Sequence, residues 1–479
     1  MLSKIKQKYN SLPSPARAAL WFTICSILQR GVQFIVVPIY TRVLSATEYG
    51  IYSVFMSWTE ILQIFCTLNL FYNSYNVGLT KFDKDKDRYS SSMLGLSTAI
   101  TVLFTAVYCA FYQRFDAFFG MPTLCCAMAF LHLAVRSPYL LWMARERYEY
   151  RYKAVLAGTV ILSVAVPVLA LAFLPLFEDN SNAVIISKVV IEVLLGIPAA
   201  VIILRSGRTL FDKFYWKYGL VNNIPLVPYY LSQIILNHSD RLMINSLCDT
   251  GKAGTYSVAY SAAMLLTVIN TAINNSVIPW KFKKLKKKDT AGIHSVTFSL
   301  MGIVMAMNAV LIALAPEAMK ILASPEYYEA VWIVPPVACS AYLIFCSQQF
   351  INIEFYFEEN NYASVSSIVV AVLNIGLNYV CISKFGYIAA GYTTLFCYIV
   401  FFVFHYAAMR FVCRKHMDNE KIWKLRPIIL MTLLFIAFSA VMLMCYNGFA
   451  VRYIIVACIA AAAFIKRKTI IRLLKIKNM

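Results

Sequence analysis

"GIYSVFMS" (Gly50–Ser57) returns 204 positions later as "GTYSVAYS" (Gly254–Ser261), with five of its eight residues in the same places. Each copy opens a long apolar run. Each also follows a segment that ends with an arginine, Arg42 before the first copy and Arg241 before the second. A chain that writes one local instruction twice points to two related halves, and the number of apolar runs between the copies decides how those halves are oriented.

The composition says what kind of runs these are. Hydrophobic residues make up 60% of the 479 positions, charged residues 14%, and the mean hydropathy is +0.66. That is more apolar surface than a soluble domain of this length can hide. In hydrocarbon every backbone polar group must be satisfied within its own segment, so a crossing takes a helix of roughly 20 apolar residues. Fourteen such runs lie near 18–40, 49–72, 89–112, 122–143, 154–175, 183–204, 219–247, 255–280, 293–315, 329–350, 363–382, 388–409, 427–445 and 449–465. The first, seventh and eighth are the least apolar. The basic start of the chain does not read as a secretory signal, because Gln29, Arg30 and Gln33 interrupt its apolar run and no small-residue cleavage site follows.

The repeat equates the second run with the eighth. An even number of crossings separates equivalent helices, so the two halves keep the same orientation and are related by a pseudo-twofold axis along the membrane normal. The expected architecture is an all-α integral membrane protein of about fourteen transmembrane helices.

Lys and Arg in short loops resist translocation and so set orientation. They gather in 4–17, 81–88, 145–153, 205–217, 281–288, 410–426 and 466–477, all on one side of the predicted membrane. The opposite side holds Arg42, Arg114, Lys252, Lys320, Lys384 and Arg452, so both termini are expected in the cytoplasm. "NIEFYFEENN" (Asn352–Asn361) departs from the rule, being acidic on the basic side. The net charge of +21 is thus shared among membrane-flanking loops rather than gathered in one domain. Topology and anionic lipid account for it, and nucleic acid is not an expected partner.

The thirteen cysteines fall mostly inside spans and form no Cys-x-x-Cys pair, so neither a metal site nor a disulfide framework is indicated. "DKDKD" (Asp83–Asp87) resembles the opening of a calcium loop, but Arg88 and Leu94 stand where Gly and Glu are required, and a solvated loop is expected. The connections leave no room for an extramembrane catalytic domain. Function therefore falls to polar residues inside the membrane, where an ionised group costs roughly 2.5–3.5 kcal/mol at a helix centre and needs a partner or water.

Those residues can be placed. The first span carries Thr23, Ser26, Arg30 and Gln33 on one stripe; the second carries Ser53, Ser57 and Glu60. Arg136 lies in the fourth span, and Lys188 and Glu192 lie one turn apart in the sixth. Span seven lines up Tyr230, Gln233 and Asn237, with Asp240 and Arg241 near its end; span eight adds Tyr256, Tyr260, Asn270 and Asn274, and span eleven Asn374 and Asn378. Each has a plain structural reading beside the functional one: Lys188 with Glu192 as an intrahelical ion pair, Asp240 with Arg241 as a helix-end pair, and the asparagines as interhelical hydrogen bonds. Arg30 and Glu60 lie mid-span and could pair with each other. Polar faces on so many helices argue for a shared watery cavity.

"TRVLSATEYGIYSVF" (Thr41–Phe55), "SDRLMI" (Ser239–Ile244), "AGTYSVAYS" (Ala253–Ser261), "NNSVIPWKFKK" (Asn274–Lys284) and "GYIAAGYTT" (Gly386–Thr394) resemble the bacterial polysaccharide and oligosaccharide flippases. These belong to the superfamily of multidrug and toxin extrusion transporters and the peptidoglycan-lipid flippase. The resemblance implies a protein of the bacterial cytoplasmic membrane, without enzyme activity, built as two six-helix lobes, spans one to six (1–217) and spans seven to twelve (218–412), with spans thirteen and fourteen and a basic tail (413–479) outside the repeat. It would turn a polyprenyl-diphosphate-linked oligosaccharide to the outer leaflet by alternating access, for O-antigen, capsule or exopolysaccharide assembly. Glycosyltransferases and a polymerase of the same pathway would be its partners.

On that reading Arg30 is the first choice to pair with the diphosphate, and Arg30→Ala should stop surface polysaccharide while leaving the protein inserted. Arg136, Lys188 and Arg241 are further cations for the cavity. Gln33, Tyr230, Gln233, Asn237, Tyr256, Tyr260, Asn270, Asn274 and Asn374 suit sugar rings and hydroxyls. Glu60, Glu192 and Asp240 are candidates for gating or for coupling to H+ or Na+; no other cofactor is expected. Pro38, Pro225, Pro228 and Pro279 mark bends. Two alternatives stay open: a multidrug or cation antiporter of the same superfamily, for which Glu60 would be the acidic coupling residue, and a membrane sugar polymerase or glycosyltransferase.

Overall fold

The computed structural model describes residues 13–465 and 467, and among these the chain is helical throughout, without strands. It divides into two compact units, Met1–Ile234 and Ile235–Met479.

The first unit opens with α1 (Ser14–Val43), which starts at Pro15 in its first turn and carries Pro38 in its interior. Next comes α2 (Ala46–Thr67), whose start is set by a capping box. The Ser45 hydroxyl accepts from the Glu48 amide at 3.3 Å, while the Glu48 carboxylate accepts from the Ser45 amide at 2.7 Å. The unit continues through α3 (Asn73–Lys81), α4 (Lys86–Ala110), α5 (Tyr112–Phe119) and α6 (Thr123–Tyr148). α7 (Tyr152–Val160) passes through a wide turn at Ile161–Ala165 into α8 (Val166–Phe173). α9 (Asn180–Gly207) and α10 (Lys213–Asn223) complete it, and a tight turn at Ile224–Leu226 leads into α11 (Val227–Leu247).

Close approach of α6 and α9 rests on one glycine. A Cβ on Gly196 would lie 2.1 Å from the Val135 carbonyl oxygen, so no other residue fits there without moving a helix.

The second unit holds α12 (Thr250–Ala263), α13 (Thr267–Lys286), α14 (Ile293–Ala313) and α15 (Ala315–Leu322). A tightly wound stretch, Pro325–Ile333, then leads into α16 (Val334–Tyr356), followed by α17 (Asn361–Phe385), α18 (Ala389–His416), α19 (Leu425–Met444) and α20 (Phe449–Ile465). α16 is the centre of this unit: Tyr342, Phe345 and Phe350 are fully buried on it, and α14, α18 and α19 all pack against it.

The sequence repeat has a structural counterpart at its helix starts. Ser45 caps α2 five residues before Gly50, and Asp249 caps α12 five residues before Gly254, accepting from the Lys252 amide at 2.8 Å.

Eleven helices among the described residues are long and apolar enough to cross a membrane, and all fourteen expected runs fall on helix. The count of fourteen therefore differs at three places. α2 is diluted by Ser, Thr, Gln and Glu; the seventh run is broken at the turn holding Pro225; and α20 has 17 residues, about 26 Å at 1.5 Å each against a core of about 30 Å. Pro228 falls in the first turn of α11, and Pro279 lies inside α13.

Three further expectations are corrected. The Asp83–Arg88 loop is not merely solvated: Asp83 accepts from Tyr148, Asp85 from Tyr215, Asp87 pairs with Arg145, Lys86 with Glu149 and Arg88 with Asp212. Lys281, counted with the loop lysines, is fully buried, because the Gln349 side chain and carbonyl accept from its Nζ at 3.0 and 3.2 Å. Arg452, counted with the outer loops, is buried against Glu317 at 2.6 Å.

Candidate functional site

Three helices of the first unit, α2, α6 and α9, bring a charged cluster together. Lys188 donates to Glu192 Oε1 at 3.0 Å, so the expected intrahelical pair is present. It is one part of a larger set: Arg136 donates to the same oxygen at 3.2 Å and to Gln63 Oε1 at 3.1 Å, and its far nitrogen lies 3.8 Å from Glu60. His132 Nδ1 bonds the second oxygen of Glu192.

Formal charge closes to zero here. Arg136 and Lys188 balance Glu60 and Glu192, which leaves no charge for His132 to carry. Glu192 and His132 are buried, whereas Arg136 and Glu60 keep about a quarter of their side-chain surface. A buried carboxylate is tolerable because three donors satisfy it, and removing one partner of such a pair typically costs about 3–5 kcal/mol.

The exposed side of Arg136 faces a cavity of about 190 Å³ within this unit. Its lining includes Gln29, Tyr72, Asn76, Tyr139, Arg147 and Thr159, with apolar residues between them; among the described residues two arginines line it and no carboxylate does. Arg147 follows Arg136 by three helical turns on α6. The cavity can take an anion, with tyrosines and amides beside it.

In the second unit the polar residues surround Asp240, which is 1% exposed. Its carboxylate accepts from Tyr256 at 2.6 Å, from Asn378 Nδ2 at 2.6 Å and from Thr394 at 2.8 Å. Asn374 Oδ1 accepts from Ser239 at 2.8 Å and from Asn378 at 3.2 Å. Arg241 turns elsewhere, donating to Ser257 Oγ at 3.1 Å and to the Asn237 carbonyl at 2.7 Å, with its guanidinium 4.7 Å from the Tyr260 ring centre. Adjacent in sequence, Asp240 and Arg241 thus serve different networks.

The remaining candidates lie apart from these groups. Asn274 accepts from Gln349 and Asn352 at 3.0 Å each, and Asn270 reaches the Ala341 carbonyl at 3.5 Å, so both tie α13 to α16. Tyr230, in the first unit, lies with its ring tilted against that of Tyr72, a cavity residue, at 6.2 Å between centres. Gln233 lies on α11 before the division between the units. The side chains of Arg30 and Gln33, on α1, lie outside the described residues.

Sequence reasoning missed His132, Gln63, Arg147 and Thr394. The signals were present. His132 precedes Arg136 by one turn, Gln63 follows Glu60 by three residues, and Thr394 ends a motif already quoted; Arg147 was assigned to a loop.

The model of the family described as "Polysaccharide biosynthesis protein" matches residues 16–285, more than half of the chain. The chain belongs to this polysaccharide biosynthesis protein family. No curated protein matches it in sequence. Among solved structures it resembles the lipid II flippase MurJ in an inward closed conformation, with a TM-score of 0.66 at 13% identity over 94% of this chain and all of the other. An inward-facing multidrug resistance MATE family transporter of the MOP superfamily gives 0.61 at 12% identity, covering 83% of this chain and 99% of the other. A MOP superfamily transporter from Pyrococcus furiosus gives 0.55 at 13% identity, covering 83% and 96%. At such identities the family member shares their fold, and its own residues must argue the rest.

Proposed function

We propose that this protein is a flippase that turns a polyprenyl-diphosphate-linked oligosaccharide repeat unit from the cytoplasmic to the outer leaflet by alternating access, for O-antigen, capsule or exopolysaccharide assembly. Membership of a polysaccharide biosynthesis family supports it. The observation that carries it is the first-unit cavity, lined among the described residues by Arg136 and Arg147 without a carboxylate.

A diphosphate cannot cross hydrocarbon bare, whereas its polyprenyl tail is at home there. The protein has only to supply a polar path for the head. Guanidinium groups pair with phosphate oxygens in bidentate fashion, and Tyr72 and Tyr139 offer ring faces to sugars. A multidrug or cation antiporter would call for a free acid in the same place. Glu60, its best candidate, is already drawn toward Arg136 at 3.8 Å.

Ion coupling is assigned to Asp240, whose buried carboxylate accepts from the hydroxyls of Tyr256 and Thr394 and from the amide nitrogen of Asn378. An ionisable group inside a membrane bundle is the usual carrier of a transported proton. The lobes are taken as 1–217 and 218–412, with both termini on the cytoplasmic side of the inner membrane. Glycosyltransferases and a polymerase of the pathway are the expected neighbours.

The test is surface polysaccharide output in cells carrying Arg147→Gln or Arg136→Gln at wild-type protein levels. Loss of output in both, with Arg147→Lys partly active, is expected. Full output from both variants would remove the cavity from the transport path.

A further inference from the structure

The second unit contains a linear, fully buried triad that the proposed mechanism does not use. His405 on α18 bonds Glu354 on α16 through Nδ1, at 2.9 and 3.1 Å from the two carboxylate oxygens. Its Nε2 lies 2.8 Å from the Ser366 hydroxyl on α17, and all three residues are 0% exposed. The hydroxyl of Ser366 also lies 3.0 Å from the Ala363 carbonyl. Phe401 closes the site from one side, its ring centre 4.3 Å from that of His405.

The first unit provides a comparison. His132 and Glu192 join α6 to α9, the fourth and sixth expected spans, just as Glu354 and His405 join α16 to α18, the tenth and twelfth. The repeat equates these helix pairs, with the two residue types exchanged between them. Their charge counts differ. Around Glu192, Lys188 and Arg136 balance Glu192 and Glu60, so His132 is neutral. No Lys or Arg is within ion-pair distance of Glu354 among the described residues.

The charged groups on the surrounding elements are engaged elsewhere. Lys281 of α13 is held by Gln349, five residues before Glu354, which puts it about 7.5 Å along α16 and about 140° around it. Lys415 and His416 hold Glu359, and Lys252 pairs with Glu329. His294 on α14 faces Phe298, and Arg426 on α19 is exposed.

We infer that Ser366, His405 and Glu354 form a proton-binding site, separate from Asp240. The cluster is electroneutral when it holds one proton, which the site is taken to hold as imidazolium beside carboxylate rather than as imidazole beside a protonated Glu354. In that state Nδ1–H donates to Glu354, Nε2–H donates to Ser366 Oγ, and the serine hydroxyl donates to the Ala363 carbonyl. When the proton leaves Nε2, the serine hydroxyl turns to donate to the bare nitrogen and the Ala363 contact is lost. The emptied site is a lone buried anion, which low-dielectric packing tolerates poorly. Release therefore requires a conformation that admits water or a cation to Glu354, and proton occupancy is linked to conformation. This holds whatever cargo the protein carries.

The experiment is nitrogen NMR of the full chain in phospholipid bilayers, with its five histidines 15N-labelled. His405→Asn and His132→Asn identify the two signals by loss. From pH 6 to 8, His405 should show both ring nitrogens protonated and His132 one bare nitrogen. A bare nitrogen on His405 throughout that range would overturn the inference. Glu354→Gln should convert His405 to the one-bare-nitrogen pattern, and persistence of the doubly protonated pattern would count equally against it. If that variant does not insert, Ser366→Ala decides: the Nε2 signal of His405 should shift, and an unmoved signal contradicts the site. No arm depends on transport, so the result stands apart from the flippase reading.

Discussion

Single residues hold this molecule's polar interior together, and Lys281 isolates the principle. Its ammonium is fully buried with amide acceptors from Gln349 and the Trp423 ring 5.5 Å away, not a carboxylate. Replacing a buried charge by a hydrophobe of similar volume is often neutral or stabilising, whereas stranding it is costly. Lys281→Met is thus expected to melt within a few degrees of wild type, or higher. Gln349→Leu should cost about 1–3 kcal/mol, with a clearly lower melting temperature in detergent. Equal melting temperatures for the two variants would contradict this account of the site. The sequence placed Lys281 in a loop because it sits at the head of a lysine run. Nothing local marks one lysine of six as the one that meets a glutamine on another helix. Glu354 was misread for the same reason, as part of an acidic loop, when α16 carries it inward to His405.

Helices carry the next level of the argument. α6 and α9 bring His132, Arg136, Lys188 and Glu192 together only because Gly196 lets the Val135 carbonyl approach. Gly196→Ala should destabilise the protein by about 1–3 kcal/mol through overpacking and reduce polysaccharide output. Gly302→Ala, inside α14 with nothing within 4 Å of the added carbon, should be neutral or gain about 0.5–1 kcal/mol. Helix starts carry a local signal that sequence reasoning left unused. Ser45-x-x-Glu48 has the pattern of a capping box, and Asp249 stands in the same register before the second copy. Ser45→Ala and Asp249→Ala should each cost about 1 kcal/mol by thermal unfolding. Helix continuity was less legible. Proline ended the seventh run at 225 yet sits inside α1 and α13, and the difference lies in tertiary neighbours that no local pattern encodes.

At the scale of the whole molecule, hydropathy and the repeat were enough to predict an all-α membrane protein of this fold. Periodic apolar runs are dictated by the bilayer itself. The helix count was the weaker inference, because polar residues inside a helix dilute its apolar signal, as Glu60 and Gln63 do in α2. Charge asymmetry predicts topology. A cysteine introduced at Lys252 should react with a membrane-impermeant maleimide added outside intact cells, and one at Lys213 should react only after lysis; the reverse pattern would invert the assignment. The central claim concerns cargo, and mass analysis of membrane lipids after deletion of the protein tests it most directly. Accumulation of a polyprenyl-diphosphate oligosaccharide, reversed by the wild-type chain and not by Arg147→Gln, is the predicted result. Unchanged lipid-linked sugars with normal surface polysaccharide would contradict it.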